Sequence, residues 1–476
     1  MNTGKRNHHT VNIFMILTVA LHLSHRFSFT HSFQTSAISI MSTRRSSRLI
    51  AHPSSPIATK AHQESISPST PKKRKATNKV KTPSPKKRSP KKTVPKKIMC
   101  SNDLAKISPE NQWIDLMISP KELRPSATLT TGQCFNWMVV QDDLDDKNLL
   151  QSSSAWGTHN ETEWVGPVQD FVISIKEIPS TTLYRVLHGP EADISEFLGD
   201  YFQLSTPLEP LYVSWSKSDE RLARIANVIP GVRLIRQNPV ECLFSFICSS
   251  NNNIPRITKM LSSFRQTFGK KMIDLPLRLS EDDVLSEPLE ECMTLYSFPT
   301  LEELKIATEQ QLRDMGLGYR AKFIIQTRDL LIDSGGQDFL YSLREKDAET
   351  VQEELIKFSG IGRKVADCVG LFSLDQTEAV PVDVHVGRIA SRDYDPTVLG
   401  QSKSLTPTVY KNVGDLFRDR FEYAGWAHSV LFVAELRSFR DVLPKDIVVQ
   451  MDNFREAEQS RKAEEKEAKV KSSPKK

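Results

Sequence analysis

Acidic residues are missing from the first 63 positions of this 476-residue chain, so its beginning differs sharply from its body. Paired cysteines are missing too. The six cysteines stand at 100, 134, 242, 248, 292 and 368 with no C-x-x-C spacing, which argues against a zinc ribbon, an iron–sulfur loop or a disulfide scaffold and suits a reducing compartment. No apolar run approaches the roughly 20 residues that cross a bilayer. The longest, Ile13 to Leu21, is far shorter, so a soluble protein without a membrane partner is expected.

What is present is unevenly distributed. Hydrophobic residues make up 38% of the chain and charged residues 26%, ordinary values for a globular protein, and the length calls for more than one packed domain. The formal net charge is +6, yet Lys72 to Lys97 alone holds 13 Lys and Arg and no acid, which leaves −7 for everything else. A basic surface on the folded body must therefore be local.

Lys5 and Arg6 precede the short apolar run, which reads either as a targeting leader or as sequence upstream of a start at Met41. Residues 65 to 98 repeat Ser, Pro and Lys, as in Ser84-Pro-Lys-Lys87 and Ser89-Pro-Lys-Lys92, and are expected to stay disordered for want of apolar area. That segment suits nuclear import and phosphate contact, or serves as a solvated linker. From Trp113 to about Tyr212, short runs such as Phe171 to Ile175 predict an antiparallel sheet with a few helices. Beyond Pro239 helical periodicity takes over, in Leu301 to Met315, Ala321 to Ile332, Val351 to Phe358 and Ala427 to Phe439. The boundaries expected are 1–107 for leader and basic tail, 108–238 for an α+β domain, 239–445 for a mainly helical domain and 446–476 for a charged tail.

The most informative segment runs from Leu355 to Phe372. Val365, Val369 and Phe372 place an apolar stripe on a helix that starts near Lys364. Before it, Gly360 and Gly362 permit backbone conformations closed to other residues, and the free amide N–H groups there can meet a DNA phosphate. An ordinary Gly-capped helix junction would look the same. A Walker loop is excluded, because Val365 follows Lys364 where Ser or Thr is needed. A lysine in a first helical turn is electrostatically disfavoured, which makes sense for a reactive amine. Only about 0.04% of an ordinary lysine is neutral at pH 7, so a nucleophile is expected to be shifted down. Cys368, one turn on, either lines a pocket with Lys364 or packs in the core. Asp383, in Pro381-Val-Asp-Val-His385, caps the next helix. The same carboxylate could stabilise a positive sugar as a glycosidic bond breaks. His385 is a phosphate contact or a surface histidine.

These residues match a known pattern: the segment resembles the helix-hairpin-helix, Gly/Pro-rich, Asp signature of DNA glycosylases. The chain is more specifically similar to the eukaryotic 8-oxoguanine DNA glycosylases from about Leu123 to Arg437. The likeness is carried by Thr131-Gly-Gln-Cys-Phe-Asn-Trp137, Cys242 to Ile254, Gly316-Leu-Gly-Tyr-Arg320 and Tyr423-Ala-Gly-Trp-Ala427. It implies an α+β fold, with an N-terminal antiparallel-sheet domain packed on a mainly α-helical helix-hairpin-helix domain. It also implies base excision repair: Lys364 attacks the sugar C1′, displaces the damaged base and forms a Schiff base that permits β-elimination. By the same resemblance the Gly132 carbonyl accepts N7–H of 8-oxoguanine, Cys368 and Phe432 sandwich the flipped base, and Asn251, Arg256, Tyr319 and Arg320 fill the gap and read the opposite cytosine.

Three positions depart from the family. His428 stands where a glutamine usually reads the guanine edge, Asn136 replaces an arginine and Ser359 replaces a proline. The expectation is a monomer acting on duplex DNA that contains 8-oxoguanine. No metal or organic cofactor enters its chemistry, although the hairpin loop could take a monovalent cation. The expected location is the nucleus, with a mitochondrion or plastid as a second address through the leader. The competing readings are a related glycosylase with another oxidised-base preference and a non-catalytic chromatin protein.

Overall fold

The computed structural model of the chain describes residues 96–108, 112–140, 162–281, 284–285, 291–400 and 405–472. The leader, nearly all of the basic segment and the closing Ser-Pro-Lys-Lys lie outside the described residues. The α+β expectation holds. A five-stranded antiparallel sheet runs in the order Ile114–Asp115, Thr182–His188, Phe171–Glu177, Thr162–Val168, Met138–Val140.

The period of two in these strands sends side chains to opposite faces. Register places Trp164 opposite Ile175 and Ile175 opposite Tyr184, and this row packs with Ile173 against Leu198 and Phe202. The other face carries Val140, Val165, Val172 and Leu187. It is covered by Leu104 and by Leu275 and Leu295 of a hairpin, Lys271–Pro276 with Cys292–Tyr296, that reaches over from the helical half. On that face Arg185 and Glu163 form a buried ion pair at 2.8 Å, and Ser174 donates to the same carboxylate.

The described fold already includes residues 96–107, which the expected boundary assigned to the tail. Strand Lys96–Ile98 pairs with Arg278–Glu281, and helix Ser101–Ile107 buries Leu104 completely. The reason is the apolar group Ile98, Met99 and Leu104, reinforced by Asp103 bonded to Arg278 at 2.5 and 2.9 Å. At the other end, helix Lys445–Ser472 is anchored by buried Ile447 and Met451, so its first turns belong to the fold and not to a tail.

Two helices frame the hairpin of interest. Ala348–Ile356 starts at Asp347, which accepts from Thr350 N–H at 2.9 Å. Arg363–Ser373, the lysine helix, turns Val365, Val369 and Phe372 into the core as the stripe predicts. Between them Gly360 has φ +80°, and a Cβ there would come within 2.5 Å of the Phe323 ring. Ser359 is held by two bonds, its hydroxyl donating to Gln326 Oε1 at 2.7 Å and its carbonyl accepting from Thr327 at 3.1 Å.

Candidate active site

Lys364 sits in the first turn of the lysine helix, its Nζ 5.5 Å from the centre of the Phe246 ring. Cys368 lies one turn on, buried and hydrogen-bonded to the Lys364 amine. Burial, opposed by the lysine charge, pushes its thiol up to about 11, so it is protonated at neutral pH. For Lys364 itself, burial pulls the ammonium down, while the charges of Cys368 and Asp383 and the bond to Cys368 push it up, and the balance stands above the ordinary lysine value. This direction is opposite to the downward shift expected of the amine from the sequence.

Asp383 caps helix Val384–Ile389. Its Oδ1 accepts both His385 N–H at 2.8 Å and Val386 N–H at 3.0 Å. Among the described residues Oδ2 makes no hydrogen bond, so the cap uses only one of the two oxygens. Cap and catalyst are compatible roles here.

His428 is buried in helix Ala424–Glu435, edge-on to Phe417 and close enough to feel the charges of Asp383 and Lys364. Its Nδ1 lies 2.7 Å from the Gly425 carbonyl, which can only accept, so Nδ1 carries the proton. Burial pulls its pKa down to about 4. The ring is therefore neutral at pH 7, with Nε2 as a bare acceptor. Lys364, Cys368, Asp383 and His428 form one electrostatic cluster.

The other candidates gather around it in smaller groups. Phe432 is half-buried, edge to face with His385 at 5.9 Å, and the His385 Nδ1 is buried with no hydrogen-bond partner among the described residues. Gly132 has φ +86°, and a Cβ there would stand 3.1 Å from Ile254. Asn251 adopts a left-handed φ of +48° in the loop that enters helix Ile254–Phe268. Tyr319 donates its hydroxyl to the Ser250 carbonyl at 3.0 Å.

Arg320, expected as a cytosine-reading donor, is only 2% exposed and commits its guanidinium to the Ser250, Asn251 and Leu317 carbonyls. Arg256 is the contrasting case: it is exposed, and its guanidinium makes no hydrogen bond or ion pair among the described residues. The backbone N–H groups of Gly360 and Gly362 are likewise unbonded among the described residues. Asn136 donates to the Pro167 carbonyl at 2.8 Å, but its Oδ1 is buried without a hydrogen-bond partner among the described residues. Phe246 was not foreseen. It lies beside the Lys364 amine, stacks on Phe372 and meets Phe135 edge-on at 5.8 Å, linking the Gly132 motif to the lysine helix.

A hairpin with free amides, a lysine in the helix that follows and an aspartate capping the next helix define a helix-hairpin-helix base-excision protein, and residues 244–402 match the model of the HhH-GPD superfamily of base excision DNA repair proteins. Residues 115–243 match the N-terminal domain of 8-oxoguanine DNA glycosylase. The N-glycosylase/DNA lyase OGG1 of Arabidopsis thaliana is 33% identical over 338 residues, 70% of this chain and 82% of that protein. The N-glycosylase/DNA lyase of Saccharomyces cerevisiae is 33% identical over 351 residues, 67% of this chain and 85% of that protein. Among solved structures, the 8-oxoguanine glycosylase/lyase of Clostridium acetobutylicum, in complex with DNA containing cytosine opposite 8-oxoguanine, superposes with a TM-score of 0.52 at 25% identity over 66% of this chain and 92% of that one. The chain belongs to the 8-oxoguanine DNA N-glycosylase/lyase family.

Proposed function

We propose that this protein excises 8-oxoguanine paired with cytosine in duplex DNA and then cleaves the strand, with Lys364 as nucleophile and Asp383 as its electrostatic partner. The observation that carries the reading is the coupling of the Lys364 amine to a carboxylate whose Oδ1 is fixed by its own helix. Entry of a nucleoside between the two would strip water from the ammonium and part it from its counter-charge, both of which favour loss of the proton. The freed lone pair bonds to C1′ as the bond to the base breaks, and the base leaves with the electron pair and takes up a proton. The Asp383 Oδ2 stabilises the positive sugar in transit. The amine adduct opens to a Schiff base, loss of a C2′ proton expels the 3′ phosphate, and water releases the lysine.

The remaining groups supply selection and grip. The Gly132 carbonyl would accept from N7–H of the lesion and repel the N7 lone pair of guanine. Cys368 and Phe432 offer a polarisable atom and a ring to the extruded base. Arg256 brings free donors to the estranged cytosine, Asn251, Tyr319 and Arg320 shape the loop beside it, and Gly360, Gly362 and His385 face the backbone phosphates. With a duplex bearing 8-oxoguanine opposite cytosine, borohydride is expected to trap a covalent adduct that Lys364→Gln abolishes. An undiminished adduct in that variant would reject the mechanism. A chromatin protein without catalysis would bind the duplex and never be trapped.

A further inference from the structure

The lysine helix carries a second carboxylate, one turn past Lys364, for which the reaction above has no use. Asp367 is 6% exposed, and both of its oxygens are bonded: Gln352 Nε2 donates to Oδ1 at 2.6 Å and the Tyr410 hydroxyl donates to Oδ2 at 2.5 Å. The Tyr410 oxygen in turn accepts from the Val382 N–H at 3.2 Å and lies 3.3 Å from the Val380 carbonyl. Val382 immediately precedes Asp383.

Three elements meet in this network. Gln352 comes from the first helix of the hairpin, Asp367 from the lysine helix and Tyr410 from helix Pro407–Arg418. A buried carboxylate is costly, and three apolar side chains of similar volume would fill the space at less expense. What an apolar trio could not do is fix the height and rotation of the backbone entering Asp383, because that requires a directional bond to the Val382 amide. The cost is visible in Asp367: burial lifts its pKa to about 6 against the pull of Tyr410, Gln352, Arg418 and Arg363.

We propose that Asp367, acting through Tyr410, is a positioning residue that holds the Val380–Val382 backbone so that the Asp383 carboxylate meets the Lys364 amine. The inference rests on the functional reading above and deepens it, since the residue never touches the substrate. It predicts a defect in chemistry and not in DNA binding.

The test uses the full chain and a duplex with 8-oxoguanine opposite cytosine. Tyr410→Phe keeps the ring and removes only the hydroxyl. It is expected to slow single-turnover excision roughly ten-fold, the order expected for a displaced catalytic group. Its dissociation constant for the duplex should stay within about two-fold of wild type, since hairpin and loop contacts are untouched. Asp367→Asn keeps an acceptor for Tyr410 and should run near the wild-type rate, whereas Asp367→Ala should match Tyr410→Phe. The inference is overturned if Tyr410→Phe excises at the wild-type rate, if its loss lies in DNA affinity alone, or if Asp367→Asn is as slow as the phenylalanine variant. Should Asp367→Ala fail to fold, Tyr410→Phe decides alone. A wild-type chain that gives no borohydride adduct would sink the functional reading, while a trapped wild type with an unimpaired Tyr410→Phe sinks only this inference.

Discussion

The imidazole of His428 offers its pocket a single lone pair, because its Nδ1–H is tied to the Gly425 carbonyl. A guanine-type base presents N1–H and an exocyclic amino group as donors beside the O6 acceptor, so Nε2 can receive one hydrogen bond and can give none to O6. The family glutamine would do both. His428→Gln is therefore expected to raise single-turnover excision of 8-oxoguanine by about five-fold, the yield of one added hydrogen bond of ~1 kcal/mol in the transition state. The same residue gives a pH signature. Burial holds its pKa near 4 against 6.5 in the unfolded chain, so its contribution to stability is present above pH 6.5 and is lost as pH falls through about 4. Thermal melts of His428→Gln should decline less between pH 6.5 and 4 than those of wild type. Equal rates and equal melts would show that the ring neither reads the base nor titrates in the fold.

Among the elements, the hairpin joins close packing to a clear sequence signal. Gly360 faces the Phe323 ring in a left-handed conformation, and Gly360→Ala meets both constraints at once. The variant is expected to lose about 2 to 4 kcal/mol of stability and to bind undamaged duplex more weakly, measured by melting and by titration. Unchanged affinity would mean that the hairpin amides do not hold DNA. Ser359 in place of proline is tolerated because its bonds to Gln326 and Thr327 restrain the turn by another route. The hairpin was legible because two glycines, a lysine and an apolar stripe follow one another in sequence. The alternation in Phe171 to Ile175 made its strand equally plain. Leu301 to Met315 read as one helix but is two, since Thr308 and Gln311 form a second capping box inside the periodic run. Phe246 could not be singled out, because its helix is buried nearly all round and has no distinct face. The bond between Asp367 and Tyr410 joins residues 43 apart, a distance over which local pattern is silent.

At the scale of the molecule, positive charge is gathered in the sequence between Lys72 and Lys97. Cutting away residues 1–95 removes 11 of the 13 basic residues of the Lys72–Lys97 stretch. That truncation should flatten the salt dependence of duplex binding while leaving excision at low salt intact, because phosphate neutralisation sets the slope. Cutting away residues 1–107 should instead aggregate. It would strip Ile98, Met99 and Leu104 from a sheet face that carries Val140, Val165, Val172 and Leu187. Equal solubility of the two truncations would contradict this account. We propose that the same basic stretch directs the protein to the nucleus, with the leader as an alternative organelle address. The short strand Lys96–Ile98 also sets a limit on erosion from that end. Because Lys96, Lys97 and Ile98 are paired with Ser280, Leu279 and Arg278, a protease that cuts after lysine is expected to spare the bonds following Lys96 and Lys97 in the folded protein.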